Sequence, residues 1–113
     1  MPVDKRDDSL SALEFKVMMA IYRQRPDAYG ISIQEELNKD PRKKWSLGSI
    51  YAVLQRLEEK NFATSKMGEA TAERGGKAKL HYVLTGTGEA ALMAEWNMVS
   101  AMGVGAGLKV AII

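Results

Sequence analysis

The chain has 113 residues, of which 46% are hydrophobic and 27% charged, a composition that fits one folded domain and leaves no room for a second. It contains no cysteine, which excludes disulfide frameworks, thiolate metal sites and cysteine nucleophiles together. The net charge is only +2, yet between Lys39 and Lys79 ten basic residues stand against five acidic ones, an asymmetry that suits either a polyanionic partner or a solvated face.

The first ten residues, "MPVDKRDDSL", are charged and lack the apolar core of a signal peptide, and no window approaches the ~18 apolar residues of a membrane span. The expected location is the cytoplasm. Ser11 and Glu14 have capping-box spacing, and Leu10, Leu13, Val17 and Ile21 recur with helical period, which predicts a helix from about residue 10 to 25. A second helix is expected after Asp27, with Tyr29, Ile33 and Leu37 on one stripe, stopping before Pro41.

Ser46 is suited to cap a third helix whose apolar stripe is Leu47, Ile50, Leu54 and Leu57. The same periodicity leaves Ser49, Val53, Arg56 and Lys60 on the free face. Asn61 stands where the chain needs a left-handed residue to leave the helix. Two strands follow, Phe62 to Met67 and Lys79 to Leu84, with the polar stretch from Gly68 to Ala78 as a protruding loop. Thr85 caps a last helix along which Leu92, Trp96 and Val99 share a stripe, and the tail "GVGAGLKVAII" is expected to fray or turn near Gly103.

Three helices and then a two-stranded ribbon is the order of a winged helix-turn-helix, a mainly α fold of the α+β class. The third helix would enter a DNA major groove and the ribbon would flank it as a wing. Gly75 and Gly76 at the wing tip allow close approach to a phosphate backbone, with Arg74, Lys77 and Lys79 supplying charge.

The segments "LEF" at Leu13 to Phe15, "AYGISI" at Ala28 to Ile33, "SLGSIYAVLQRLEEKNF" at Ser46 to Phe62 and "ERGGKAKLHYVLTGTGEAAL" at Glu73 to Leu92 resemble the PadR family of transcriptional regulators. The resemblance spans roughly residues 10 to 96 in order and spacing. The single helix after the wing is similar to the smaller subgroup of that family. Asn61 departs from the glycine common in the family at that place, and the Gly103 to Gly107 tail is also unusual.

The resemblance implies residues 1–85 as a DNA-binding unit and 86–113 as a C-terminal dimerisation helix and tail. It further implies a homodimeric repressor on a pseudo-palindromic double-stranded operator, released by a small aromatic or drug-like ligand, with no cofactor. By the match, Ser46, Ser49, Tyr51, Arg56 and the Arg74 to Lys79 wing fall where the family meets DNA, and Lys43 and Lys44 lie just before the third helix. Several of these residues admit two readings. Tyr51 either donates to a phosphate or borders the apolar stripe; Arg56 meets phosphate or base, or pairs with Glu59; Lys43 and Lys44 contact the backbone or stay solvated.

Trp96, with Met93 and Val99 near it on the helix, either sandwiches a flat effector between two copies or buries area in the dimer seam. His81 is the only histidine, so a metal site within one chain has little to build on, and it is expected on the exposed strand face. "GVGAG" lacks the last glycine, the strand and the βαβ unit of a dinucleotide site. Neither Glu35-Glu36 nor Glu58-Glu59 aims two carboxylates into one cleft, since adjacent helical residues diverge by about 100°, which argues against an enzyme. The alternative class is a winged helix used only to bind another protein.

Overall fold

The computed structural model describes residues 9–70 and 78–107. In chain order the elements are α1 (Ala12–Gln24), β1 (Ala28–Tyr29), α2 (Gly30–Leu37), α3 (Leu47–Glu59), β2 (Ala63–Ala70), β3 (Ala78–Leu84) and α4 (Gly86–Gly105). This is the expected winged helix-turn-helix with one addition. Ala28 and Tyr29 form a short strand instead of opening α2, and they pair antiparallel with Tyr82 and His81.

The sheet therefore has three strands in the order β1-β3-β2. Pairing to β3 satisfies backbone groups that one more helical turn would have satisfied locally, and it ties the start of α2 to the base of the wing. β2 and β3 pair from Ala63↔Leu84 to Met67↔Leu80, and after an irregularity again at Ala70↔Ala78. Both strands reach further toward the tip than the sequence pattern suggests. Arg74, Gly75, Gly76 and Lys77 lie outside the described residues.

Helices α1, α3 and α4 each begin at a capping side chain. Ser11 Oγ accepts from the Glu14 N–H at 3.1 Å while Glu14 Oε1 accepts from the Ser11 N–H at 2.9 Å, a complete capping box. Ser46 Oγ accepts from the Ser49 N–H at 3.1 Å, and Thr85 Oγ1 from the Gly88 N–H at 2.9 Å. α3 ends in a Schellman arrangement, with the Phe62 N–H on the Leu57 carbonyl at 2.8 Å and the Asn61 N–H on the Glu58 carbonyl at 3.0 Å. Asn61 adopts φ 64° there, the left-handed conformation its side chain tolerates.

The core joins Val17, Met18 and Ile21 of α1, Ile33 of α2, Ile50, Val53, Leu54 and Leu57 of α3, and Phe62, Tyr82 and Leu92 around them. Val53 is only 1% exposed, so its expected place on the free face is corrected. α3 is packed by α1, α2 and β2, and three neighbours cover a wider arc than the two-helix stripe read from periodicity. Leu47, at the other edge of that stripe, is only half-buried.

Along β3 the alternation holds near the body and fades outward: Tyr82 is buried, whereas Leu80 and Val83 are both exposed. His81 is half-buried, not free, with its ring stacked on Tyr29 at 6.1 Å and Nδ1 3.8 Å from Asp27 Oδ1. α4 is docked at its start. Thr85 donates its N–H to the Phe62 carbonyl at 3.0 Å and its hydroxyl to the Asn61 carbonyl at 2.7 Å, and Gly88 lies so close that an added Cβ would fall 1.9 Å from the Phe62 oxygen. The helix continues through Gly103, and the left-handed residue after it is Gly107 at φ 80°.

Candidate nucleic-acid interface

The face of α3 opposite its four buried residues is lined by Gly48, Ala52, Gln55 and Glu59, all exposed. Its N-terminal half carries the small residues Gly48 and Ala52, so this part of the helix surface has low relief. Tyr51 borders this strip on one side and Arg56 on the other, since they sit about 100° apart from its axis members on a helical wheel. Ser46 and Ser49 stand at its N-terminal end, with their hydroxyls 2.9 Å apart.

Tyr51 is 43% exposed, and its ring lies over α2. A Cβ on Gly30 would fall 2.5 Å from the Tyr51 phenol carbon and oxygen. A side chain at the start of α2 would therefore displace the Tyr51 ring from its place over Gly30. The Tyr82 hydroxyl is pushed up by burial and by the nearby Glu58 and Tyr51.

Arg56 does not turn to Glu59. Its Nε faces Glu14 Oε2 at 3.8 Å, and Lys60 Nζ approaches the same oxygen at 2.9 Å. Glu14 is the buried acid of the molecule's described residues, only 4% exposed. Burial pushes its carboxyl up, but the Ser11 backbone N–H and the Lys60 ammonium outweigh this and hold it below the usual carboxylate range. The cap of α1 thus doubles as the electrostatic anchor for the last turn of α3, leaving the Arg56 side chain half exposed.

Lys43 and Lys44 are exposed just before α3. The Lys43 ammonium lies 4.7 Å over the Trp45 ring, and Lys44 Nζ donates to the Asn38 carbonyl at 2.7 Å. Lys79 at the wing base sits 4.1 Å over the Tyr29 ring. Lys66 on β2 is also exposed on the wing. Gln55 and Lys66 did not stand out in the sequence, because a polar residue on a helix and a lysine in a strand carry no pattern until the free surface is known.

Trp96 is half-buried on the inner side of α4 and lines a cleft of ≈ 260 Å³ together with Phe15 and Met19 of α1, Leu37 of α2 and Trp45. Met93 and Val99 are exposed and do not line it. Trp45, unnoticed in the sequence, is the residue that the fold brings opposite Trp96. Among the described residues there is no group of three or more metal-ligating side chains, and no helix is long and apolar enough to cross a membrane.

Fold and face together define a winged helix-turn-helix with a docked C-terminal helix. The model of the transcriptional regulator PadR-like family matches residues 17–94, and the chain belongs to that family of transcriptional regulators. A PadR-like transcription factor from Bacteroides fragilis superposes with TM-score 0.61 at 28% identity, covering 80% of this chain and 84% of its own. A PadR-like regulator from Bacillus cereus gives TM-score 0.65 at 24% identity, covering 87% and 93%. Bacillus subtilis PadR, solved in complex with operator DNA, gives TM-score 0.61 at 18% identity, covering 76% of this chain and 47% of its own. No curated protein matches the chain in sequence.

Proposed function

We propose that the chain is a cytoplasmic, homodimeric repressor that binds a pseudo-palindromic operator through α3 and the wing and is released by a small aromatic ligand. The observation that carries the DNA-binding reading is the free strip of α3. Gly48 and Ala52 keep its N-terminal half low, Ser46, Ser49 and Tyr51 flank that half with hydroxyls, Arg56 borders it with positive charge, and the exposed Lys43 and Lys44 directly precede α3. Hydroxyls and an arginine beside a low-relief helix start suit phosphates along a major groove, and Arg74, Gly75, Gly76 and Lys77 would extend the contact along the backbone.

A second copy is supported by α4, which exposes Met93, Met98, Val99, Met102 and Val104. Apolar side chains in such number on one helix favour a covered surface. Two-fold pairing through α4 would place two copies of α3 about one helical turn apart on DNA. An effector near Trp96 with Met93 and Val99 beside it would act by preferring a dimer whose α3 helices are wrongly spaced, and its effect is bounded by that preference.

The test is fluorescence anisotropy of the protein on the DNA upstream of its own gene, across a salt series with unrelated DNA as competitor. If each half neutralises about four phosphates, log K falls against log[salt] with a slope near −7. A slope near zero would instead favour a winged helix that binds only protein. Expression of a reporter from the same DNA, with and without the protein, separates repression from activation.

A further inference from the structure

We infer that Lys60 is a positioning residue for the operator contact: by occupying the carboxylate of Glu14 it keeps Arg56 from closing onto that carboxylate, and so leaves the guanidinium to a DNA phosphate. This rests on the regulator reading above and deepens it at one site.

The three groups come from distant parts of the chain. Glu14 stands in the first turn of α1, whereas Arg56 and Lys60 lie one turn apart at the end of α3. Two cations at that spacing on one helix repel each other, and a third partner has to reconcile them. The Glu14 carboxylate does so. Lys60 Nζ donates to Oε1 at 3.2 Å and to Oε2 at 2.9 Å, and the Ser11 N–H donates to Oε1 at 2.9 Å.

Those bonds fill most of the roughly four that a carboxylate accepts. The place left is on Oε2, and Arg56 Nε lies 3.8 Å from it, outside hydrogen-bond range. Half of the Arg56 side chain is open to solvent at the edge of the exposed strip of α3. Arginine and lysine thus divide the work: the compact ammonium is bound to the acid, and the forked guanidinium, which suits a phosphate, is held loosely beside it.

Burial makes this division matter. Glu14 is only 4% exposed, and a buried carboxylate that loses its cation is strongly destabilising. Without Lys60, Arg56 is the cation left beside Glu14, and it would close the gap into a charge-assisted hydrogen bond. A phosphate would then have to break that bond and leave a buried charge unmatched. With Lys60 in place the carboxylate stays matched when Arg56 turns outward. One acid and two bases also leave a net charge of +1, the sign that DNA attracts.

The test is a cycle of variants in the anisotropy assay. Lys60→Met should weaken operator binding about 30-fold, because Arg56 is captured by Glu14. In a Glu14→Gln background the same change should weaken binding no more than about threefold, a coupling of about tenfold. Thermal melts check that each variant folds, and Lys60→Gln serves if Lys60→Met does not. A lysine that met phosphate itself would give equal losses in both backgrounds, which would overturn the inference; unchanged binding by Lys60→Met would overturn it as well.

A second readout needs no DNA. The Arg56 Nε–H signal of ¹⁵N-labelled protein, assigned by its absence from Arg56→Lys, should exchange with water about tenfold more slowly in Lys60→Met than in the natural chain. Adding Glu14→Gln should restore the fast rate, which a general loosening of α3 would not do. Unchanged exchange in Lys60→Met would overturn the inference and leave the regulator reading standing. Failure of the natural chain to bind operator would strike the regulator reading, while the exchange rates would still decide whether Lys60 keeps Arg56 off Glu14.

Discussion

Helices α3 and α4 follow opposite plans. α3 separates its faces: Ile50, Val53, Leu54 and Leu57 are buried, and the exposed side is small or polar. α4 does not, because Leu92 is buried while Met93, Met98, Val99, Met102 and Val104 are all exposed. Burial fades along α4, from Gly88 against the Phe62 carbonyl, through half-buried Trp96, to exposed Val99. The difference teaches that one chain covers the apolar residues of α3 but not those of α4, an observation that supports the second copy proposed above.

The comparison breaks most visibly if the exposed C-terminal half of α4 is made polar. Val99→Ser with Met102→Ser should weaken self-association by about 100-fold or more, as loss of two central apolar contacts does, with the circular dichroism of the chain unchanged. Sedimentation velocity checks it, and unchanged association would mean that the exposed face of α4 is not an interface. At the docked end the expected effect is on folding. Gly88→Ala forces a backbone shift at Phe62, at a cost of about 3 kcal/mol, lowering Tm by on the order of 10–15 °C.

For α3, Glu14→Gln should remove the charge that anchors Arg56 and Lys60, costing about 1–2 kcal/mol at neutral pH by urea unfolding. The sign with pH follows from the depressed carboxyl. The folded value lies below the unfolded one, so this stabilisation is fully present above the unfolded value of about 4.3 and is lost as pH falls through the folded value. The variant should therefore lose less stability than the natural chain between neutral and acid pH. The smallest effect is expected at Tyr51: Tyr51→Phe keeps the contact with Gly30 and loses only a hydroxyl, so operator affinity should fall about threefold with stability unchanged.

Sequence by itself determined what depends on near neighbours. The capping box of Ser11 and Glu14, the caps at Ser46 and Thr85, the left-handed Asn61 and the helical stripes involve residues within one or two turns of each other, so spacing alone encodes them. The motif resemblance, from "AYGISI" to the wing, carried the family and with it the fold. Tertiary structure decided what depends on distant partners. β1 exists only because β3, some fifty residues later, offers it a ladder; Val53 is buried because α3 is packed from three sides. Arg56 turns to Glu14, not Glu59, and Trp45 meets Trp96 across a cleft. These pairings carry no local period and little propensity, since their free energy comes from burial and from charges brought together only when the chain has closed on itself.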